Sequence, residues 1–218
     1  MIGQVERDFI PALRFKAFTR FYDPVVRLTT RERRVKRALI EHARVPDGAT
    51  VIDLGCGTGT LTIGLKRRYP GARVIGLDAD PDILEYAKKK ARAADVDVEF
   101  VLGNATDLPF DNELAKRIVS SLFFHHLQPP DKKLALSEAM RVLGVGGELH
   151  ISDWGAPANP LMRALFFPVR LLDGFSNTRQ HVAGLLPSLL REAGVQQVDQ
   201  HSSYNTMFGT LRLLRTTK

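Results

Sequence analysis

Apolar and polar positions along this chain follow two alternating periods. Residues 50–54, Thr-Val-Ile-Asp-Leu, form a short apolar run that ends at glycines 55, 57 and 59. Such a run predicts a buried strand, and the glycines a tight turn. Leu61, Ile63 and Leu65 then open a segment that can be helical. The same order recurs downstream. Residues 73–78 predict a second strand, and Asp80-Pro81 a helix start, with Asp80 as N-cap and Pro81 at the first helical position. Leu84, Ala87, Ala91 and Ala94 follow at helical spacing. Further strands are predicted at 98–102 and 117–122. Leu136, Ala139, Met140 and Leu143 share one helical face. The glycine-rich stretch 144–147 predicts the stop of that helix, and Glu148 the start of a fifth strand. Residues 194–200 and 207–214 read as two more.

Strands alternating with helices imply an α/β fold, a largely parallel sheet with helices on both faces. The 218 residues contain no linker or internal repeat, which predicts a single domain over 1–218. Residues 1–45 read as an N-terminal helical cap. Residues 155–187 break the rhythm, with Pro157, Pro160, Pro168 and Pro187 around the apolar stretch 161–167. Two readings stand for this insertion: a lid over a greasy substrate, or a packed helix hairpin that extends the core.

The glycine turn is the first place where chemistry is legible. Glycine supplies positive φ and lets backbone approach a ligand closely, and a following helix start offers unpaired N–H groups. The spacing is neither Gly-x-Gly-x-x-Gly nor a phosphate-binding Gly-Lys-Ser/Thr loop. It is Asp-x-Gly-x-Gly-x-Gly, with Asp53 on the strand. A carboxylate there repels a pyrophosphate and attracts a cationic amino group, which favours S-adenosylmethionine. Asp78 ends the second strand, where an acid can grip both ribose hydroxyls. A turn without any ligand is the competing reading.

These residues resemble motif I of the class I S-adenosylmethionine-dependent methyltransferases. The loop Gly103-Asn104-Ala105-Thr106-Asp107-Leu108-Pro109-Phe110 looks like that family's adenine loop, with Asn104 and Ala105 at the base-reading positions; Asp107 is alternatively a turn cap. The strand ending Phe123-Phe124-His125-His126-Leu127 is similar to that of the ubiquinone/menaquinone-biosynthesis group (methyltransferase type 11). Arg141-Val142-Leu143 before Gly146-Gly147 is similar to the family's turn into strand five. The chain departs from the group at Ala115-Lys116, where relatives have Phe-Asp, and at Gly144-Val145, where Lys-Pro is usual. The resemblance implies a Rossmann-like seven-stranded sheet, mostly parallel, whose last strand is antiparallel and lies between strands five and six. It implies S-adenosylmethionine as cofactor, leaving as S-adenosylhomocysteine. The cofactor residues it implies are Tyr22, Asp53, Gly55, Cys56, Gly57, Thr58, Gly59, Asp78, Ala79, Asn104, Ala105 and Ser120. Tyr22, of Tyr22-Asp23-Pro24, is expected to cover the sulfonium with its ring, or to be a core-edge aromatic.

Strand ends four and five aim Ser120, Phe123, His125, His126, Asp153 and Trp154 at a substrate. A hydroxyl or acidic carbon acceptor requires a base, for which His125 and His126 stand by position; a structural role is the alternative for both. The single cysteine, Cys56, excludes an internal disulfide and offers no metal cluster, so no metal is expected. The N-terminus lacks the order of a secretion signal, and no run is long enough to cross a bilayer, so a cytoplasmic location is the default.

The formal net charge is +7. Arg14, Lys16, Arg20, Arg27, Arg31, Arg33, Arg34, Lys36 and Arg37 interleave with Phe9, Leu13, Phe15, Phe18 and Phe21. Peripheral contact with an anionic membrane is one reading, a solvated helical cover the other. Base methylation is disfavoured, because Ser-Leu-Phe-Phe-His-His stands where amino-methylating enzymes carry Asn/Asp-Pro-Pro-Tyr/Phe. The expected activity is methyl transfer to a small, apolar or lipid-like acceptor. The alternatives are a phospholipid-headgroup methyltransferase at a membrane surface and a non-catalytic S-adenosylmethionine-binding partner protein. Neither the acceptor atom nor the oligomeric state is legible.

Overall fold

The computed structural model describes residues 32–195 and 197–218. Tyr22 and most of the N-terminal cap lie outside the described residues. Seven strands form one sheet: β1 (Thr50–Leu54), β2 (Arg73–Asp78), β3 (Glu99–Leu102), β4 (Ala115–Ser121), β5 (Leu143–Trp154), β6 (Val198–Thr206) and β7 (Gly209–Thr217). Their order across the sheet is β3-β2-β1-β4-β5-β7-β6. β7 pairs antiparallel with both β5 and β6, and the other neighbours are parallel. The strand that closes the chain therefore inserts between the fifth and sixth, as the resemblance implies.

Side-chain alternation along the central strands builds two cores. Ile52, Leu54, Ile75, Leu77 and Ile118 face one side, against α4 (Pro129–Val142) and α8 (Leu186–Glu192). Val51, Val74 and Val119, one position out of phase, face the other side, against α1 (Glu32–Ala43) and α2 (Thr60–Arg68). A strand covered on both faces is apolar at most positions, which is why these runs are nearly continuous, broken in β1 only by the buried Asp53. α3 (Pro81–Ala93) starts as expected: the Asp80 carboxylate accepts from the N–H groups of Asp82 and Ile83 at 2.9 and 3.3 Å, and Pro81 follows the cap.

Boundaries differ from the sequence expectation where pairing overrides local signals. β3 starts at Glu99, whose carboxylate is held by Arg73 of β2 at 2.7 Å. β4 starts at Ala115, which pairs with Leu143, and a register shift before Arg117, which pairs with Glu148, absorbs three extra residues of β5. β5 consequently begins at Leu143, directly after α4. Gly144–147 are not a loop: Gly146 takes φ +70°, its N–H donates to Lys218 O, and Lys218 N–H donates to Gly147 O. Glycines that read as breakers thus continue the ladder against the chain's last residue. β6 starts at Val198 because Gly194, at φ +94°, closes the turn after α8, while Met207 lies in the β6–β7 turn.

The segment 155–187 folds as short helices, α5 (Pro160–Leu165), α6 (Phe167–Asp173) and α7 (Phe175–Val182), before α8. Asn159 caps α5 by accepting from Met162 N–H at 2.9 Å. Phe166 packs with Trp154 of β5, Val35 of α1 and Leu211 and Leu213 of β7. The segment is anchored over the ends of the central strands by apolar contact.

Candidate functional site

The C-terminal ends of β1, β2, β4 and β5 converge on one edge, where ligands of open α/β sheets bind. Glycines 55, 57 and 59 all adopt left-handed φ, +71°, +53° and +73°. Gly55 and Cys56 both donate their N–H to Leu77 O at 2.9 Å, so the turn curls across the end of β2. A Cβ on Gly55 would lie 2.3 Å from the Phe123 ring, whereas one on Gly57 would meet nothing within 4 Å among the described residues. Gly55 is therefore required by the protein, and Gly57 faces space that no described residue fills.

The two acids are held differently. Asp78 is half-buried; its Oδ2 accepts from Gly57 N–H at 2.8 Å and its Oδ1 from Asp80 N–H at 3.1 Å. Burial raises its pKa, against the hydrogen bonds from Gly57, Asp80 and Ala79. Each carboxylate oxygen can accept a second bond, so Asp78 shapes the turn and still offers acceptors. Asp53 is fully buried, and Thr62 Oγ1 of α2 donates to it at 2.7 Å. Burial pushes its pKa up to about 6, opposed by the Thr62 bond and the nearby Lys36 charge and reinforced by Asp78.

Between the ordinary value of 3.8 and about 6 the folded chain holds a proton that the unfolded chain has released. Stability therefore falls as pH rises through that window and stays lower above it. Asp53→Asn removes the effect, and Asn can still accept from Thr62. The variant is expected to be more stable than the parent at pH 7.5 by up to about 3 kcal/mol, and to hold S-adenosylmethionine at least about tenfold more weakly for want of the carboxylate. Urea midpoints from pH 4 to 8 and calorimetry measure the two effects; a variant less stable at pH 7.5 sinks the reading of Asp53.

The remaining expected cofactor residues are placed as follows. Cys56 is buried, and burial pushes its thiol pKa well up, so it is an inert filler beside Gly76. Thr58 Oγ1 lies 3.3 Å from Thr60 Oγ1, and Lys90 of α3 donates to both. Ala79 follows Asp78, half-buried. Asn104 is exposed, with its Oδ1 accepting from Thr106 N–H at 3.0 Å, and Ala105 is buried. Asp107 N–H closes the same turn onto Asn104 O. Arg141 pins this loop by donating to Phe110 O, Asn112 Oδ1 and Leu108 O at 2.8–3.0 Å. Ser120 is fully buried, and its hydroxyl donates to Leu54 O at 2.9 Å, so it ties β4 to β1.

Beyond β4, a 3-10 turn (Phe124–His126) carries the two histidines. His125 is buried and its Nδ1 lies 2.7 Å from Asp153 Oδ1 of β5. Asp153, fully buried, also accepts from His125 N–H at 3.3 Å and Trp154 N–H at 2.7 Å. Burial presses His125 toward neutrality, but Asp153 and Asp173 outweigh it and raise its pKa. The Asp153 carboxyl is likewise pushed up by burial, yet His125 and His181 hold it well below the usual carboxylate range. Burial and the His125 charge lower the pKa of His126.

Asp173, at the end of α6, reaches both rings: its Oδ1 lies 3.2 Å from His126 Nδ1 and its Oδ2 3.7 Å from His125 Nε2. His181 of α7 is buried beside them, with its Nδ1 2.8 Å from Trp154 O and its pKa pushed down by burial to about 4. Lys132 is buried too, donating to Leu127 O and Asn177 O, and Asn177 Nδ2 donates to His126 O. Sequence reading missed Asp173, His181, Lys132, Asn177 and Thr62. Asp173, His181 and Asn177 meet the histidines only because 155–187 folds back over the strand ends, and Lys132 of α4 joins them through Asn177 O. No spacing signals that return.

The sheet order, with β7 reversed between β5 and β6, and the glycine turn between two acids define a Rossmann-like methyltransferase domain. The family model for a methyltransferase domain matches residues 51–147. An uncharacterized methyltransferase of Synechocystis is 33% identical over 173 residues, covering 78% of this chain and 77% of that protein. The chain belongs to the class I S-adenosylmethionine-dependent methyltransferases, in the group resembling the ubiquinone/menaquinone-biosynthesis enzymes. A demethylmenaquinone methyltransferase of Thermus thermophilus is 34% identical over 124 residues, covering 57% of this chain and 56% of that protein. The match spans about half the length of such curated relatives. A SAM-dependent methyltransferase structure from Aquifex aeolicus superposes with TM-score 0.64 at 18% identity, covering 84% of this chain and 89% of that one. Among the described residues no helix is long and apolar enough to cross a membrane.

Proposed function

We propose that this protein transfers the methyl group of S-adenosylmethionine to a small, apolar acceptor by in-line displacement. One observation carries the reading: the glycine turn, open at Gly57 between Asp53 and Asp78, shares its sheet edge with the His125–His126 pair. The turn would hold the nucleoside and amino acid ends of the cofactor. The histidines, beyond Phe123, would face the acceptor. A sulfonium is an activated leaving group, so the protein's task is collinear placement and exclusion of water. Phe123, Trp154 and the helices of 155–187, acting as a lid, would supply an apolar wall. The histidine cluster stands where a proton must leave a hydroxyl acceptor. The demethylmenaquinone methyltransferases among the relatives support a quinol-like ring as acceptor class.

Calorimetry with S-adenosylmethionine and S-adenosylhomocysteine tests the cofactor half, and transfer of labelled methyl to quinol analogues the acceptor half. Micromolar binding of both nucleosides is expected. Recognition of NADH with indifference to both would sink the proposal. A lipid-headgroup acceptor is a second reading, favoured by Leu161, Phe167, Leu171 and Leu172, which are exposed on the same segment as the exposed Arg163 and Arg179. Co-sedimentation with anionic liposomes, and methylation of their headgroups, would select it.

A further inference from the structure

We propose that His125, His126 and Asp173 form a binding site for a divalent first-row transition ion, zinc being the commonest for this donor set. Their ligating atoms all lie within 4.8 Å of one another. A tetrahedral zinc with ligands at about 2.0–2.2 Å requires donors about 3.3 Å apart. The Asp173–His126 and Asp173–His125 separations, 3.2 and 3.7 Å, bracket that value.

The surroundings are arranged as a ligand shell. Asp153 fixes His125 by taking its Nδ1–H at 2.7 Å. A histidine so held turns its Nε2 lone pair toward Asp173 Oδ2, acceptor facing acceptor, which only a proton or a metal ion can reconcile. A carboxylate on the far nitrogen is the usual support of a metal-bound histidine. Asn177 of α7 donates to the His126 carbonyl, so the turn that carries the two histidines is tied to the segment that brings Asp173. Two imidazoles with one carboxylate select borderline ions over magnesium or calcium. Three protein ligands leave a coordination position open.

The ion's role in turnover rests on the methyl-transfer reading; its binding does not. An acceptor hydroxyl taking the open position would lose its proton to water as its oxygen binds the ion, because the metal lowers the hydroxyl pKa. That oxygen would then form the new C–O bond while the C–S bond breaks, its electron pair staying on sulfur as neutral S-adenosylhomocysteine.

The test uses the full chain, freed of any affinity tag and treated with chelator. Co2+ is titrated with its visible d–d absorption as readout, and Zn2+ by calorimetry, on the parent, His126→Ala and Asp173→Asn. Both altered positions are partly exposed, and thermal melts of each variant verify folding. Uptake of a single ion per chain is expected, weakened by at least about 100-fold in both variants. No uptake by the parent overturns the site and leaves a protonated His125 between two carboxylates. Uptake unchanged in the variants overturns it equally, since the ion then binds elsewhere. S-adenosylmethionine binding is measured on the same sample: if it persists without metal uptake, only this inference falls, and if it is absent while uptake persists, the methyl-transfer reading falls alone.

Discussion

Gly55→Ala is expected to lose about 3 kcal/mol or more of stability and all measurable cofactor binding, whereas Gly57→Ala loses about 1 kcal/mol and keeps its fold. Both positions have left-handed φ, +71° and +53°, so each methyl carries the same backbone strain. What differs is the space. The Gly55 methyl would sit 2.3 Å from Phe123 Cδ2 and 2.4 Å from Cγ, and the ring cannot yield because it packs at the edge of the main core. The Gly57 methyl meets nothing within 4 Å among the described residues, so its effect should appear as cofactor affinity, reduced at least about tenfold. For a chain of this size the Gly55 variant should melt about 6–12 °C lower and the Gly57 variant about 2–4 °C lower. Melting curves and calorimetry separate the two. A Gly57 variant that binds S-adenosylmethionine as tightly as the parent would remove this turn from the cofactor site.

Asp153→Ala is expected to destabilise the protein by about 3–5 kcal/mol. The carboxylate is fully buried and receives three donors, His125 Nδ1–H, His125 N–H and Trp154 N–H. Its removal leaves those groups unpaired in a buried site beside His181, whose Nε2 has no hydrogen-bond partner among the described residues. Asp153→Asn keeps the volume but replaces one acceptor by a donor, so about 2 kcal/mol is expected, from one unmet bond. Both variants free the His125 ring to rotate. Turnover should therefore fall more in the Asn variant than its small loss of stability accounts for, with KM for S-adenosylmethionine little changed. Denaturant titration and steady-state kinetics on the Asn variant measure this. Equal turnover in parent and Asn variant would reduce Asp153 to a structural role.

The strand–turn–helix at 50–65 was legible because its signals are local. Val51, Ile52 and Leu54 must be apolar to be covered on two faces, and glycines at alternate positions admit few backbone paths. Asp80-Pro81 was readable for the same reason, since a cap and a first-turn proline act within four residues. Where partners are distant, the same reasoning misplaced boundaries. Gly144–147 look like a breaker until Ala115 and Lys218 are brought alongside as pairing partners. Ser120 sits at a strand end that points toward ligand, yet its hydroxyl is used by Leu54 on the neighbouring strand.

By itself the sequence determined the sheet, the glycine cradle with its two acids, and the histidine pair, because each depends on residues within one turn or one strand of another. Only the tertiary structure decided what the histidines face. Asp173 stands 47 positions beyond His126, and it arrives there through the apolar packing of Phe166 and Trp154, which carries no record of the carboxylate it delivers. Burial is likewise a property of the assembled fold: the same Asp53 that reads as an ordinary acid in the chain becomes a reluctant one when α2 and β1 close around it.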